Sequence, residues 1–171
     1  MTSKFKFEFL KSKMWIAVVS LCIVTACSSP EKDSKVKNNI ETFTHVWDEV
    51  INKGNLGMFN EANYSKSIIL HASPTDVVGI DRAKEFYSNY LVGFSDIDFT
   101  IKDSFGMGEK IIMHWNFKGT HTGLFFGIPA TDRKVDIEGV TIVRMEDGKI
   151  AEERDFIDNL EFMQQLGLIP K

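Results

Sequence analysis

The carboxylates of this chain crowd toward its end: Glu152, Glu153, Asp155 and Asp158 lie within seven residues, interrupted by Arg154. If this stretch is a strand, alternation sends Glu153, Asp155 and Ile157 to one face and Glu152, Arg154 and Phe156 to the other. Both faces therefore carry charge, and the pattern leaves open which one points inward. A carboxylate facing an apolar hollow has its charged form disfavoured, so its pKa rises toward neutrality. There it can take and return a proton with neither metal nor cofactor. Facing outward, the same residues are solvated strand charges, paired with Arg154 or Arg144. Other chemistries find little footing. Four scattered histidines offer no zinc-ligand spacing. Gly106-Met107-Gly108 lies between strands and not before a helix, so it is no phosphate loop. A serine nucleophile elbow is absent.

The elements that must position these residues follow from hydrophobic period. Val36, Ile40, Phe43, Trp47, Val50 and Ile51 paint one face of a helix, which Gly54 ends as a left-handed cap. A short helix is expected from Leu56 to about Glu61, a short strand from Ser67 to Ala72, and a third helix from Asp81 to Leu91. The inner face of that third helix carries Ala83, Phe86, Tyr87, Tyr90 and Leu91. The period then changes to two. Ile97, Phe99 and Ile101 alternate with polar residues; Met113, Trp115 and Phe117 oppose His114 and Asn116; Val135, Ile137 and Gly139 begin a further strand. Asp147-Gly148 suits a hairpin turn, Lys149–Ile157 the last strand, and Leu160–Leu166 a closing helix. Helices followed by a long antiparallel meander predict a single α+β domain, with a strongly curved sheet wrapped over the helices around a closed-ended hollow. Trp115, on the aromatic face of its strand, is expected to pack toward the helices.

At this point three segments, in order, become recognisable: Thr120 to Arg133 (THTGLFFGIPATDR), Arg144 to Asp155 (RMEDGKIAEERD), and Gln165-Leu166-Gly167. Together they resemble the SnoaL-like polyketide cyclases, or ester cyclases, of the nuclear transport factor 2-like superfamily, across about Val36 to Leu168. The resemblance implies a cone-shaped α+β barrel, a pocket at its open end, a homodimer packed sheet to sheet, and no cofactor. It also implies a role for Asp155, which matches the carboxylate that the family's cyclases carry on the last strand. Their reaction is an intramolecular aldol closure, in which one group removes a proton from a carbon flanked by carbonyls and delivers one to the oxygen that becomes negative. Asp155 is thus the candidate catalytic residue, and His71, Thr141 and Trp115 the candidate substrate contacts, for a small apolar ligand or substrate. Thr141 departs from the antibiotic-pathway cyclases, which have histidine at the aligned position; threonine donates a hydrogen bond but exchanges no proton near neutral pH. His121 is expected to hold its loop by a hydrogen bond. The same hollow could serve a non-catalytic small-molecule binding protein, and the outer sheet face an interaction protein.

The first residues carry a separate message. Lys4, Lys6, Lys11 and Lys13 against Glu8 precede an uncharged run from Met14 to Ala26, shorter than the roughly 20 residues of a spanning helix. This describes a secretory signal, and Val24-Thr25-Ala26-Cys27 resembles the bacterial lipobox, in which the cysteine is acylated. The expected organisation is a removed signal at 1–26, a lipidated Cys27 and flexible tether through residue 35, and a SnoaL-like domain over 36–171. The tether expectation rests on the polar, charged run from Ser28 to Lys35. Anchoring at a bacterial membrane through Cys27 follows, the outer membrane being favoured because no acidic pair follows the cysteine. The removed segment carries +3, so the net charge falls from −4 to −7, and an acidic domain is not steered toward nucleic acid. Cys22 leaves with the signal and Cys27 carries lipid, so no disulfide forms.

Overall fold

The computed structural model describes residues 30–170; the signal segment, Cys27 and the start of the tether lie outside them. Helix α1 (Pro30–Trp47) continues into a wider π-helical turn over Asp48–Asn52, and a single 3-10 turn follows at Leu56–Met58. Phe43, Val46, Trp47, Val50 and Ile51 are all buried, which is the face the sequence period marks. Gly54 adopts φ +65°, the left-handed conformation of a helix-terminating glycine. The helix starts earlier than its apolar face. Pro30 to Lys35, expected to be flexible, already form its first turns: proline fits a first helical turn, and Lys35 pairs with Glu109 at 3.1 Å.

Strand β1 (Tyr64–Leu70) and the two-residue β2 (Val77–Val78) precede helix α2 (Ile80–Gly93). The meander follows as β3 (Phe94–Met107), β4 (Lys110–His121), β5 (Lys134–Glu146) and β6 (Lys149–Ile157), and α3 (Asn159–Gln165) closes the described chain. The sheet order is β2-β1-β6-β5-β4-β3, so β2 and β3 are edges and the sheet is open. The meander is antiparallel throughout, while β1 joins β6 in parallel. Register irregularities between Ser95 and Asp98, and between Ile101 and Asp103, bend β3, as bulges do. The curved, unclosed sheet holds α1 and α2 in its concavity, giving the α+β cone that the element order predicts.

Alternation along the central strands is regular. In β5, Val135, Ile137, Thr141, Val143 and Met145 are buried and turned toward the helices. Gly139 falls in the same inward row, and a Cβ there would lie 2.3 Å from the Trp115 indole. The missing side chain is therefore what lets the Trp115 ring lie flat against β5. At the far end, Asn52 receives the Phe99 N–H at 2.8 Å and donates to the Phe99 carbonyl at 2.9 Å, tying the end of the first helix to β3 beside the hollow.

Candidate functional site

Between the concave sheet and the helices lies a hollow. Its walls are Trp47 and Ile51 from the first helical segment, Tyr87 and Tyr90 from α2, and Phe99, Trp115, Phe117, Ile137, Asp155 and Ile157 from the strands. Asp155 is the single carboxylate among rings and aliphatic chains. The free volume is about 50 Å³, room for a few waters, and about 470 Å³ counted out through the mouth. Six of the ten lining residues are aromatic.

The last strand settles its two faces. Ala151 and Glu153 are buried and Asp155 follows them inward, whereas Glu152 turns outward to Arg144, 2.8 Å away. Asp155 is exposed, yet it lines the hollow and protein crowds its carboxylate closely enough to disfavour the charge. Its Oδ1 accepts the Thr141 hydroxyl at 2.5 Å, and its Oδ2 lies 3.3 Å from the Tyr87 hydroxyl. Thr141, fully buried, in turn accepts the Trp115 indole N–H at 2.8 Å. A directed chain thus runs Trp115, Thr141, Asp155. Removal from water raises the Asp155 pKa, and the Thr141 and Tyr87 hydroxyls pull it partly back. Burial near the carboxylates likewise pushes the Tyr87 and Tyr64 phenols well above their ordinary range.

Of the residues singled out in the sequence, Asp155, Thr141 and Trp115 meet in this site. His71 does not. Its ring lies on the outer face, Nδ1 3.2 Å from Asp76 and Nε2 3.5 Å from Glu152, because its partner Glu152 occupies the outward register of β6. His114 also faces out, 3.1 Å from Glu138, and Asn116 donates to Asp136 at 2.7 Å. His121 is fully buried and binds the Thr131 hydroxyl at 3.0 Å, which closes the loop between β4 and β5. In that loop Phe125 is buried against Phe94 and Tyr90, while the more exposed Phe126 packs on Phe86 and Tyr90.

Sequence reasoning missed Glu153 as a member of the site. It is 1% exposed, its Oε2 lies 3.0 Å from the Tyr87 hydroxyl oxygen, and its Oε1 has no hydrogen-bond partner. The buried Trp47 indole N–H is also unpartnered; it lies near enough to favour the Glu153 carboxylate slightly, without reaching hydrogen-bond geometry. Burial and the neighbouring Asp155 push the Glu153 pKa up to about 8. The signal available was its i, i+2 relation to Asp155. Among the described residues no group of three or more histidine, cysteine or acidic side chains could hold a metal.

The α+β cone thus encloses a hollow lined by one carboxylate, Asp155, with a second, Glu153, sealed beside it. The sequence model of the family described as SnoaL-like polyketide cyclase matches residues 41–166, and the chain belongs to that family. Over 49 residues it is 43% identical to the aklanonic acid methyl ester cyclase of Streptomyces peucetius, a stretch covering 29% of this chain and 34% of that one. The nogalonic acid methyl ester cyclase of Streptomyces nogalater matches at the same identity over 49 residues, 29% of this chain and 37% of its own. The matches thus span about a third of the length of these curated relatives. A protein of a Jannaschia species, assigned as a SnoaL-like polyketide cyclase, superposes with TM-score 0.70 at 25% identity, covering 79% of this chain and 95% of that one.

Proposed function

We propose that this protein is a cofactor-free cyclase acting on a small, mostly apolar carbonyl compound, with Asp155 as its acid and base. The observation that carries this reading is Asp155 itself, the one carboxylate lining an apolar hollow, its pKa raised by burial. A raised pKa brings a base closer to the strength needed to remove a proton from a carbon between two carbonyls. The same proton can then be delivered to the oxygen formed as the ring closes. The Thr141 and Tyr87 hydroxyls hold the carboxylate in place; Trp115 orients Thr141 and offers its ring as a wall for the substrate. The methyl ester cyclase names of the two curated relatives support the same reaction class. Threonine in place of histidine at position 141 leaves Asp155 to move both protons alone.

The test is Asp155→Asn, assayed for turnover of a 1,3-diketone or ketoester and, separately, for binding of that compound. Loss of a positioned general base costs about 10²–10⁴-fold in rate, so turnover should fall by that factor with binding retained. Equal binding by both forms with turnover by neither would replace the enzyme with a non-catalytic binding protein using the same hollow.

Anchoring at the bacterial envelope through an acylated Cys27, at the outer membrane, belongs to the same proposal and rests on the lipobox resemblance. So does a homodimer, for which the outer sheet face offers Ile142 and Phe156, 40% and 52% exposed.

A further inference from the structure

Three oxygens meet behind the hollow. The Tyr87 hydroxyl lies 3.0 Å from Glu153 Oε2 and 3.3 Å from Asp155 Oδ2. A phenol has one proton and can donate to one of them only. Were both carboxyls ionised, the other contact would set a bare oxygen lone pair against a carboxylate in an apolar interior, an arrangement with no compensating bond. The three-oxygen contact is satisfied if one carboxyl carries a proton.

The surroundings identify which. Asp155 borders the hollow and already accepts the Thr141 proton, as an ionised acceptor does. Glu153 is sealed from solvent with Oε1 unpartnered. It faces Asp155 on its own strand, Tyr87 from α2, Tyr64 from β1 and Trp47 from α1. Among the described residues no lysine, arginine or histidine contributes to the titration of either carboxyl.

We propose that Glu153 is a positioning residue held as the neutral acid, whose proton goes to the Tyr87 oxygen and so turns the Tyr87 hydroxyl onto Asp155. The hydrogen-bond chain then reads Glu153 to Tyr87 to Asp155 from one side and Trp115 to Thr141 to Asp155 from the other. Both ends converge on one anionic carboxylate, and the hollow carries a single negative charge. No proton of Glu153 is consumed: Asp155 takes the carbon-bound proton and returns it to oxygen, while Glu153 stays protonated. When Glu153 ionises, the shorter contact captures the Tyr87 proton and a second negative charge faces the enolate. The catalytic consequence rests on the cyclase reading; the protonation assignment does not.

The deciding measurement is an infrared titration of the protonated-carboxyl band in the wild-type protein, against Glu153→Gln and Tyr87→Phe. At pH 6 the wild type should show a band that is missing from E153Q, disappearing with a midpoint near 8. In turnover, the wild-type rate should fall on the alkaline side with that same midpoint, and E153Q should lack this limb. Tyr87→Phe should keep the Glu153 band and move the acid limb set by Asp155 to higher pH. Absence of the band at pH 6, or an alkaline limb unchanged in E153Q, would overturn the proposal. Should E153Q fail to fold, the wild-type and Y87F titrations still decide. A band with the expected midpoint in a protein without turnover would leave the shared-proton assignment standing and sink the cyclase reading.

Discussion

Glu153→Gln also makes a stability prediction that needs no substrate. A glutamic acid ordinarily titrates near 4.5, and in the folded protein Glu153 is pushed up to about 8. Between those values the folded state holds a proton that the unfolded chain releases, so stability falls as pH rises. The contribution is fully present below about 4.5, declines through the window, and is lost once pH exceeds about 8. A gap of about 3.5 units at 1.36 kcal/mol each gives roughly 5 kcal/mol across the window. That is a large share of the 5–15 kcal/mol typical of a whole domain. Asp155 is shifted in the same direction, so the observed midpoints belong to the pair. Glutamine keeps the shape of the side chain and does not titrate. Urea unfolding of wild type and E153Q, at steps from pH 4.5 to 8.5, should show the variant gaining on the wild type by several kcal/mol as pH rises. Parallel stability curves over that range would refute a buried neutral Glu153; a wild type that gains on the variant would indicate an ionised residue with a stabilising partner.

Thr141→Val removes the link between Trp115 and Asp155. A buried indole N–H and one carboxylate oxygen lose their partner, which should cost about 1–3 kcal/mol in chemical denaturation. The Asp155 pKa should rise further, read as an acid limb displaced to higher pH in turnover. Cys27→Ser should release the domain from the membrane fraction into the soluble periplasmic fraction with its unfolding transition unchanged; persistence in the membrane fraction would count against lipidation.

The two periods of the sequence carried most of the fold. A 3.6-residue stripe from Val36 to Ile51 marks a face that is buried, and strict alternation in β4 and β5 marks the inward rows that hold Trp115 and Thr141. Periodicity reports which face of an element is apolar and not which strand lies beside it, so the parallel seat of β1 on β6 was not legible. The last strand was harder for a physical reason. Both of its faces carry acids, and a fully buried glutamate is rare enough that Glu153 reads as a surface charge until the coordinates place Tyr87 beside it. His71 follows directly after β1, and its ring reaches Glu152 on the outer face and not the hollow, a direction that periodicity does not report. The expected tether gave way to helix from Pro30 onward, since polar composition without apolar residues is equally that of a solvated helical turn.

What occupies the hollow beside Asp155 decides whether this carboxylate meets a substrate. A crystal structure of the wild-type protein soaked with a non-cyclisable 1,3-diketone measures this directly. The diketone should lie between the Trp115 and Tyr90 rings, its central carbon within about 3.5 Å of an Asp155 oxygen. A hollow that stays empty at saturating diketone, or a ligand bound elsewhere with Asp155 touching only protein, would contradict the cyclase reading.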